Sequence, residues 1–220
     1  MLFCEGEAQR TLRLLCLRIE TMKKAIIYIH GKGGSAEEAA HYKELFPDFD
    51  VMGFDYKAET PWDAKTEFAL YFAEVCESYD AVYVIANSIG AFFTMNAQIN
   101  EKMKKAYFIS PIVDMEKLIA DMMTWAGVTE DELRERKKIE TPFGETLSWE
   151  YLCYVRNNPV KWELPTYILY GENDNLSSFE TVRLFAEKIG ASLDVMKGGE
   201  HWFHTDEQME YLDEWIRKAT

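Results

Sequence analysis

Three stretches of this chain place side chains that could do chemistry just past an apolar run. Ser88 stands in Ala86-Asn87-Ser88-Ile89-Gly90, after Tyr83-Val84-Ile85. Asp174 stands in Gly171-Glu172-Asn173-Asp174, after Thr166-Tyr167-Ile168-Leu169-Tyr170. His201 closes Gly198-Gly199-Glu200-His201, after Leu193-Asp194-Val195-Met196. A serine hydroxyl is a poor nucleophile at neutral pH. It needs a base within hydrogen-bond reach, and the base needs a carboxylate to orient it. Serine, aspartate and histidine on three such loops are the parts for covalent acyl transfer, provided the fold brings the loops to one edge.

The elements that must position them are legible as alternating apolar runs and amphipathic segments. Ala25–Ile29 reads as a strand covered on both faces, and Phe49–Asp55, Ala81–Ala86, Ala106–Ile109, Thr166–Tyr170 and Leu193–Met196 read as further strands. Helices are expected over Ala36–Phe46, capped by Ser35, and over Ala64–Tyr79, Ser88–Gln98, Phe179–Ile189 and Asp206–Lys218. Strand and helix alternating in this way imply a mainly parallel sheet with right-handed crossovers and helices on both faces. The small residues Ala86 and Gly90, two before and two after Ser88, suit a tight strand-to-helix corner. The helix that follows points its N-terminus at the same spot.

From Ile112 to Trp162 the alternation stops. Met115–Trp125, Asp131–Lys138 and Trp149–Asn157 read as helices. An insert at about 112–163 would lie over the carboxyl end of the sheet, where open α/β sheets bind ligands, and is expected to act as a cap. Its aromatic residues Trp125, Trp149 and Tyr154 are candidate substrate contacts; the alternative for each is simple packing. Residues 1–21 read as an upstream extension ahead of a body spanning 22–220, with Met22 as a natural start; the alternative is a short helix laid against the body. No chemistry is assigned to them.

The chain has 220 residues, 48% hydrophobic and 28% charged, which suits one domain with one good-sized core. A net charge of −14 argues against non-specific nucleic-acid binding. No apolar run is long enough to span a bilayer, so no membrane partner is expected. Cys4, Cys16, Cys76 and Cys153 have neither metal-ligand spacing nor the density of a disulfide framework. They read as free thiols in a reducing compartment, the cytoplasm. No metal or other cofactor is expected. The sequence sets no oligomeric state.

The order serine, then aspartate, then histidine, with these flanking motifs, resembles the α/β-hydrolase superfamily of serine hydrolases over roughly residues 24–218. The family's oxyanion loop looks like His30-Gly31-Lys32-Gly33-Gly34, its nucleophile elbow like Ala86–Gly90, its acid turn like Gly171–Asp174 and its histidine loop like Gly198–His201. The resemblance implies Ser88 as nucleophile, His201 as general base and acid, Asp174 as orienting carboxylate, and the backbone N–H groups of Lys32 and Ile89 as oxyanion donors. It implies a carboxylesterase-like hydrolase acting on an ester or thioester of a small or medium substrate. A peptidase or acyltransferase would use the same triad, and a non-catalytic, receptor-like member could keep it as a ligand pocket.

Ala86 departs from the family's usual glycine. Nothing before Ala25 reads as the first hairpin of larger members, so a compact, roughly six-stranded sheet is expected. His204 is the alternative base, and the place of His201 directly after the glycines favours His201. Glu172 is the alternative acid, and position in the turn favours Asp174. His30 is expected to shape its loop and His41 to lie on the surface.

Overall fold

The computed structural model describes residues 22–99 and 103–220; the expected extension at 1–21 lies outside them. Six parallel strands form the sheet: β1 (Lys24–Ile29), β2 (Asp50–Gly53), β3 (Ala81–Asn87), β4 (Met103–Ile109), β7 (Thr166–Gly171) and β8 (Ser192–Met196), in the order β2-β1-β3-β4-β7-β8. The central strands read as unbroken apolar runs because both faces are covered. Alternate residues feed two separate cores. Ile27, Ile29, Val84, Ala86, Phe108 and Ile168 face one core. Ile26, Tyr28, Ile85, Tyr107 and Leu169 face the other.

The first core is closed by α2 (Pro61–Ser78) and α3 (Ile89–Ala97). Thr60 caps α2 by accepting from Asp63 N, Pro61 occupies its first turn, and Ala64, Phe68, Phe72 and Val75 face inward. Helix α3 is buried from Gly90 to Ala97, which explains its almost wholly apolar sequence. The second core is closed by α1 (Ala39–Tyr42) and α8 (Asp206–Ala219), which contributes Leu212, Trp215 and Ile216. Helix α7 (Phe179–Ile189) adds Val182 and Ala186 to the first core.

The first helix is shorter than expected. A 3-10 turn at Ala36–Glu38, closed by a capping box between Ser35 and Glu38, precedes the four residues of α1. Beyond it the chain keeps tight three-residue turns, Lys43 N to Ala40 O and Leu45 N to Tyr42 O. Pro47 disfavours helical backbone at Phe46, so the segment stops there.

Between β4 and β7 the chain leaves the sheet. It forms α4 (Met115–Ala126), α5 (Glu130–Arg136), an antiparallel hairpin of β5 (Lys138–Glu140) with β6 (Thr146–Ser148), and α6 (Trp149–Asn157). The hairpin was not expected: three-residue strands are too short for alternation to show, and α5 ends at Arg136 rather than Lys138. Arg156 on α6 donates to Glu116 on α4 at 2.7 Å and holds both oxygens of Glu130 on α5 at 2.7 and 2.8 Å, tying the insert's helices together. Among the described residues no helix is long and apolar enough to cross a membrane.

Phe68 is wholly buried, with its ring against Phe54, Tyr56, Phe72 and Phe93. Phe68→Ala is expected to lower unfolding free energy by about 3–5 kcal/mol, measured by urea denaturation, while Phe68→Leu loses markedly less.

Candidate active site

Because the strands are parallel, the loops after β1, β3, β7 and β8 all leave the same edge of the sheet. Ser88 sits at the corner between β3 and α3 with φ 50° and ψ −120°, a left-handed backbone that only external contacts can hold. Those contacts are present. The Ser88 N–H donates to Ile109 O at 3.0 Å, and its carbonyl accepts from Ala91 N at 3.2 Å and Ile112 N at 3.1 Å. The corner is thus gripped by the end of β4. A β-carbon on Gly90 would lie 2.5 Å from His30 O, so α3 starts in direct contact with the end of β1, and nothing larger than glycine fits.

His201 hangs from β8, three strand steps from β3, on the order of 14 Å at about 4.8 Å per step. Its loop reaches back because it is zipped to the loop after β7. Asn173 N donates to Gly199 O at 2.7 Å, Glu172 N to Met196 O at 3.0 Å, and Gly198 N to the Glu172 carboxylate at 2.9 Å. A β-carbon on Gly171 would sit 2.4 Å from Glu200 O, so this glycine allows the two loops to touch. Glu172, the alternative acid, is therefore a staple between the loops.

The geometry that results is continuous. His201 Nε2 lies 2.8 Å from Ser88 Oγ, and His201 Nδ1 lies 2.7 Å from Asp174 Oδ2. The Asp174 carboxylate is fully shielded from water. Its other oxygen accepts from Leu176 N at 2.8 Å and Ser177 N at 3.0 Å. A carboxylate only accepts, so the hydrogen bonds assign the imidazole proton to Nδ1 and leave the Nε2 lone pair facing the serine. Tyr170 donates to Ser177 O at 2.8 Å. Burial, and then the Asp174 charge, push the Tyr170 phenol up to about 12, so it stays neutral and braces the turn that holds Asp174.

The glycine loop lies directly over this corner. A β-carbon on Gly31 would be 3.2 Å from Ser88 Cβ. Lys32 follows, and its exposed ammonium pairs with Glu145 in the turn of the β5–β6 hairpin, so the insert reaches the carboxyl edge of the sheet here. Ile89 is the first residue of α3, where an N–H has no acceptor one turn back. His30 does not approach Ser88 through its ring. It stacks on Tyr56 at 4.3 Å, and Tyr56 donates to its carbonyl at 2.9 Å. His204 is exposed, stacked on Trp202 and bonded to the Trp202 carbonyl at 2.7 Å. His41 pairs with Asp213 on α8.

The three candidate substrate aromatics are dispersed. Trp125 is half-exposed and meets Phe143 edge-on in the hairpin turn at 6.2 Å. Trp149 starts α6 and packs on the main core. Tyr154 bonds Asn96 at 3.4 Å, near the far end of α3, and meets the Trp62 ring at 5.5 Å. No hydrogen bond or ring contact joins any of the three to Ser88, Asp174 or His201. Sequence reasoning missed the zipping role of Glu172 and Asn173; the facing glycines at 171 and 198–199 were the available signal. Among the described residues no group of three or more His, Cys, Asp or Glu side chains could hold a metal ion.

No protein-family model and no curated protein sequence matches the chain. Solved structures do. Est1E from Butyrivibrio proteoclasticus superimposes with a TM-score of 0.73 at 20% identity, over 91% of this chain and 87% of that one. Mouse alpha/beta hydrolase domain-containing protein 10 gives 0.71 at 15% identity, over 89% and 88%. A monoacylglycerol lipase from Paleococcus ferrophilus gives 0.60 at 14% identity, over 89% and 95%. The chain has the α/β-hydrolase fold.

A short, water-shielded Nδ1–H to carboxylate bond is expected to give a far-downfield imidazole proton in the NMR spectrum. Asp174→Ala should abolish that resonance and His204→Ala should leave it; a signal that survives Asp174→Ala would contradict the arrangement.

Proposed function

We propose that the protein is a serine hydrolase that cleaves a carboxylic ester or thioester of a small or medium substrate, with Ser88, His201 and Asp174 as its triad. The observation that carries the reading is the unbroken hydrogen-bonded line from Ser88 Oγ through the imidazole to a carboxylate removed from water. Proteins named esterase and monoacylglycerol lipase among the structural neighbours add support for ester chemistry.

In this reading Ser88 Oγ attacks the carbonyl carbon as His201 Nε2 takes the hydroxyl proton. The carbonyl electrons move onto oxygen, where the Lys32 and Ile89 amides receive the negative charge; each donor of this kind is worth about 10²–10³ in rate. The α3 dipole favours the same charge. The tetrahedral species collapses, the bond to the alcohol or thiol breaks, and His201 gives that leaving group its proton. Water, deprotonated by His201, then attacks the acyl-Ser88 ester, and release of the acid restores the serine. Asp174 keeps the imidazole in the required tautomer and stabilises the imidazolium. The exposed aromatics Trp125 and Phe143 near the Lys32–Glu145 pair fit an apolar acyl or alcohol group.

Steady hydrolysis of p-nitrophenyl butyrate tests the reading. Wild type is expected to turn over, Ser88→Ala to fall to background with an unchanged circular dichroism spectrum, and Asp174→Ala to lose about 10⁴ in kcat. Equal rates for wild type and Ser88→Ala would sink it.

A further inference from the structure

A second hydrogen-bonded line leaves the serine corner in the opposite direction. Asn87, the residue before Ser88, donates from Nδ2 to the Tyr28 hydroxyl at 2.8 Å. Tyr28 donates to Glu38 Oε2. The other Glu38 oxygen accepts from Ser35 N at 2.9 Å. The direction is set at the far end, since a carboxylate only accepts. Burial, followed by the Tyr42 and Glu38 charges, raises the Tyr28 pKa far above the phenol's ordinary value, so its proton stays in place. The Tyr28 ring is almost wholly buried and stacked on Tyr42 at 5.2 Å.

This line joins the residue before Ser88 to the far end of the Gly31–Ser35 loop. The loop 31–35 is anchored at its start by His30, whose carbonyl is held by Tyr56. It is anchored at its end by Ser35 on Glu38. A β-carbon on Gly34 would lie 2.8 Å from Glu38 Oε1, so the carboxylate lies against the loop itself. A capping box alone would account for the Ser35–Glu38 bonds. It would not account for the second carboxylate oxygen reaching through a buried tyrosine to the neighbour of Ser88. Among the described residues Asn87 Oδ1 is buried without a partner, and the Tyr28 hydroxyl is the hydrogen-bond partner that orients the amide.

We propose that Asn87, Tyr28 and Glu38 are positioning residues that set the Gly31–Ser35 loop, and with it the Lys32 amide, at a fixed distance from Ser88. The catalytic consequence rests on the serine-hydrolase reading; the mechanical one does not. Oxyanion donors count only if they stand where charge develops, so loosening the loop should cost transition-state stabilisation and leave ground-state binding alone.

Tyr28→Phe removes the hydroxyl and keeps the ring. With p-nitrophenyl butyrate, kcat is expected to fall about 10- to 100-fold with KM within about twofold. Affinity for an aryl boronic acid, which forms a tetrahedral adduct on the serine, should fall with kcat. Amide hydrogen exchange should quicken over 31–35 and stay unchanged over 81–86. Glu38→Ala should behave like Tyr28→Phe. Glu38→Gln should recover most of the rate, because its Oε1 can accept from Ser35 N while its Nε2 donates to the Tyr28 hydroxyl, which then donates to Asn87 Oδ1 once that amide turns over. Wild-type kcat together with wild-type exchange over 31–35 in Tyr28→Phe overturns the proposal, as does a loss that appears wholly in KM. If wild type hydrolyses no ester, the hydrolase reading fails by itself, and the exchange comparison decides this proposal: faster exchange over 31–35 upholds it and unchanged exchange overturns it.

Discussion

Everything at this edge of the sheet depends on one strained residue. A non-glycine backbone at φ 50° and ψ −120° costs on the order of 1–3 kcal/mol and persists only where its surroundings over-determine it. At Ser88 the surroundings are the last residue of β4, the Ile112 amide and the end of β1, which touches Gly90. The strain turns the chain from a mostly buried strand into a mostly buried helix within a single residue. As a result the Ser88 side chain stands at the carboxyl edge, with the helix N-terminus beneath it. Without the sheet register that brings Ile109 beside Asn87, nothing would hold the corner.

The histidine faces a different problem, which is distance. Two strands separate β3 from β8, and the loop between Met196 and Asp206 has to carry His201 back across them. The chain solves this by making the acid turn and the histidine loop one body. Their main chains exchange hydrogen bonds, Gly171 removes the obstacle between them, and Glu172 staples them. Asp174 is then desolvated at little penalty, because backbone N–H groups and the imidazole replace its water. Tyr170 completes the support from below.

Much of this was legible in the sequence, for identifiable reasons. The buried central strands β1, β3, β4 and β7 show as apolar runs, and the largely exposed edge strands β2 and β8 were placed by the regular alternation with helices; all six lie within a few residues of their expected positions. The Ser88, Asp174 and His201 motifs stood out because each sets a chemically capable side chain among small residues just past a strand; Gly90, Gly171 and Gly199 allow close approaches there, and Gly198 supplies a positive φ. What escaped notice was set by contacts between distant segments. The β5–β6 hairpin is too short for periodicity. The segment expected as one helix over Ala36–Phe46, capped by Ser35, splits into a 3-10 turn, a single α-helical turn and further tight turns, a difference of hydrogen-bond spacing that apolar periodicity does not record. Tyr28 read as one more apolar residue of β1, and its hydroxyl acquires meaning only when Asn87 and Glu38, 59 and 10 residues away, fold against it. The aromatic candidates in the insert were chosen by composition, and composition cannot say which face of a helix meets which neighbour.

The departure at Ala86 also has a physical reading. A small residue two before the serine is required only if strand and helix would otherwise collide there. In this chain Ala86 is a wholly buried member of the first core, paired in register with Ile29 on one side and Phe108 on the other. Its methyl group therefore fills core volume, and a glycine there would leave a void. The steric demand falls instead on Gly90, where an added carbon would meet backbone at 2.5 Å. The two positions flanking the serine are thus not equivalent. The one before it needs a residue small enough to pack. The one after it needs the absence of a side chain, and it is the second requirement that holds the loop from β1 close enough to Ser88 for any chemistry between them.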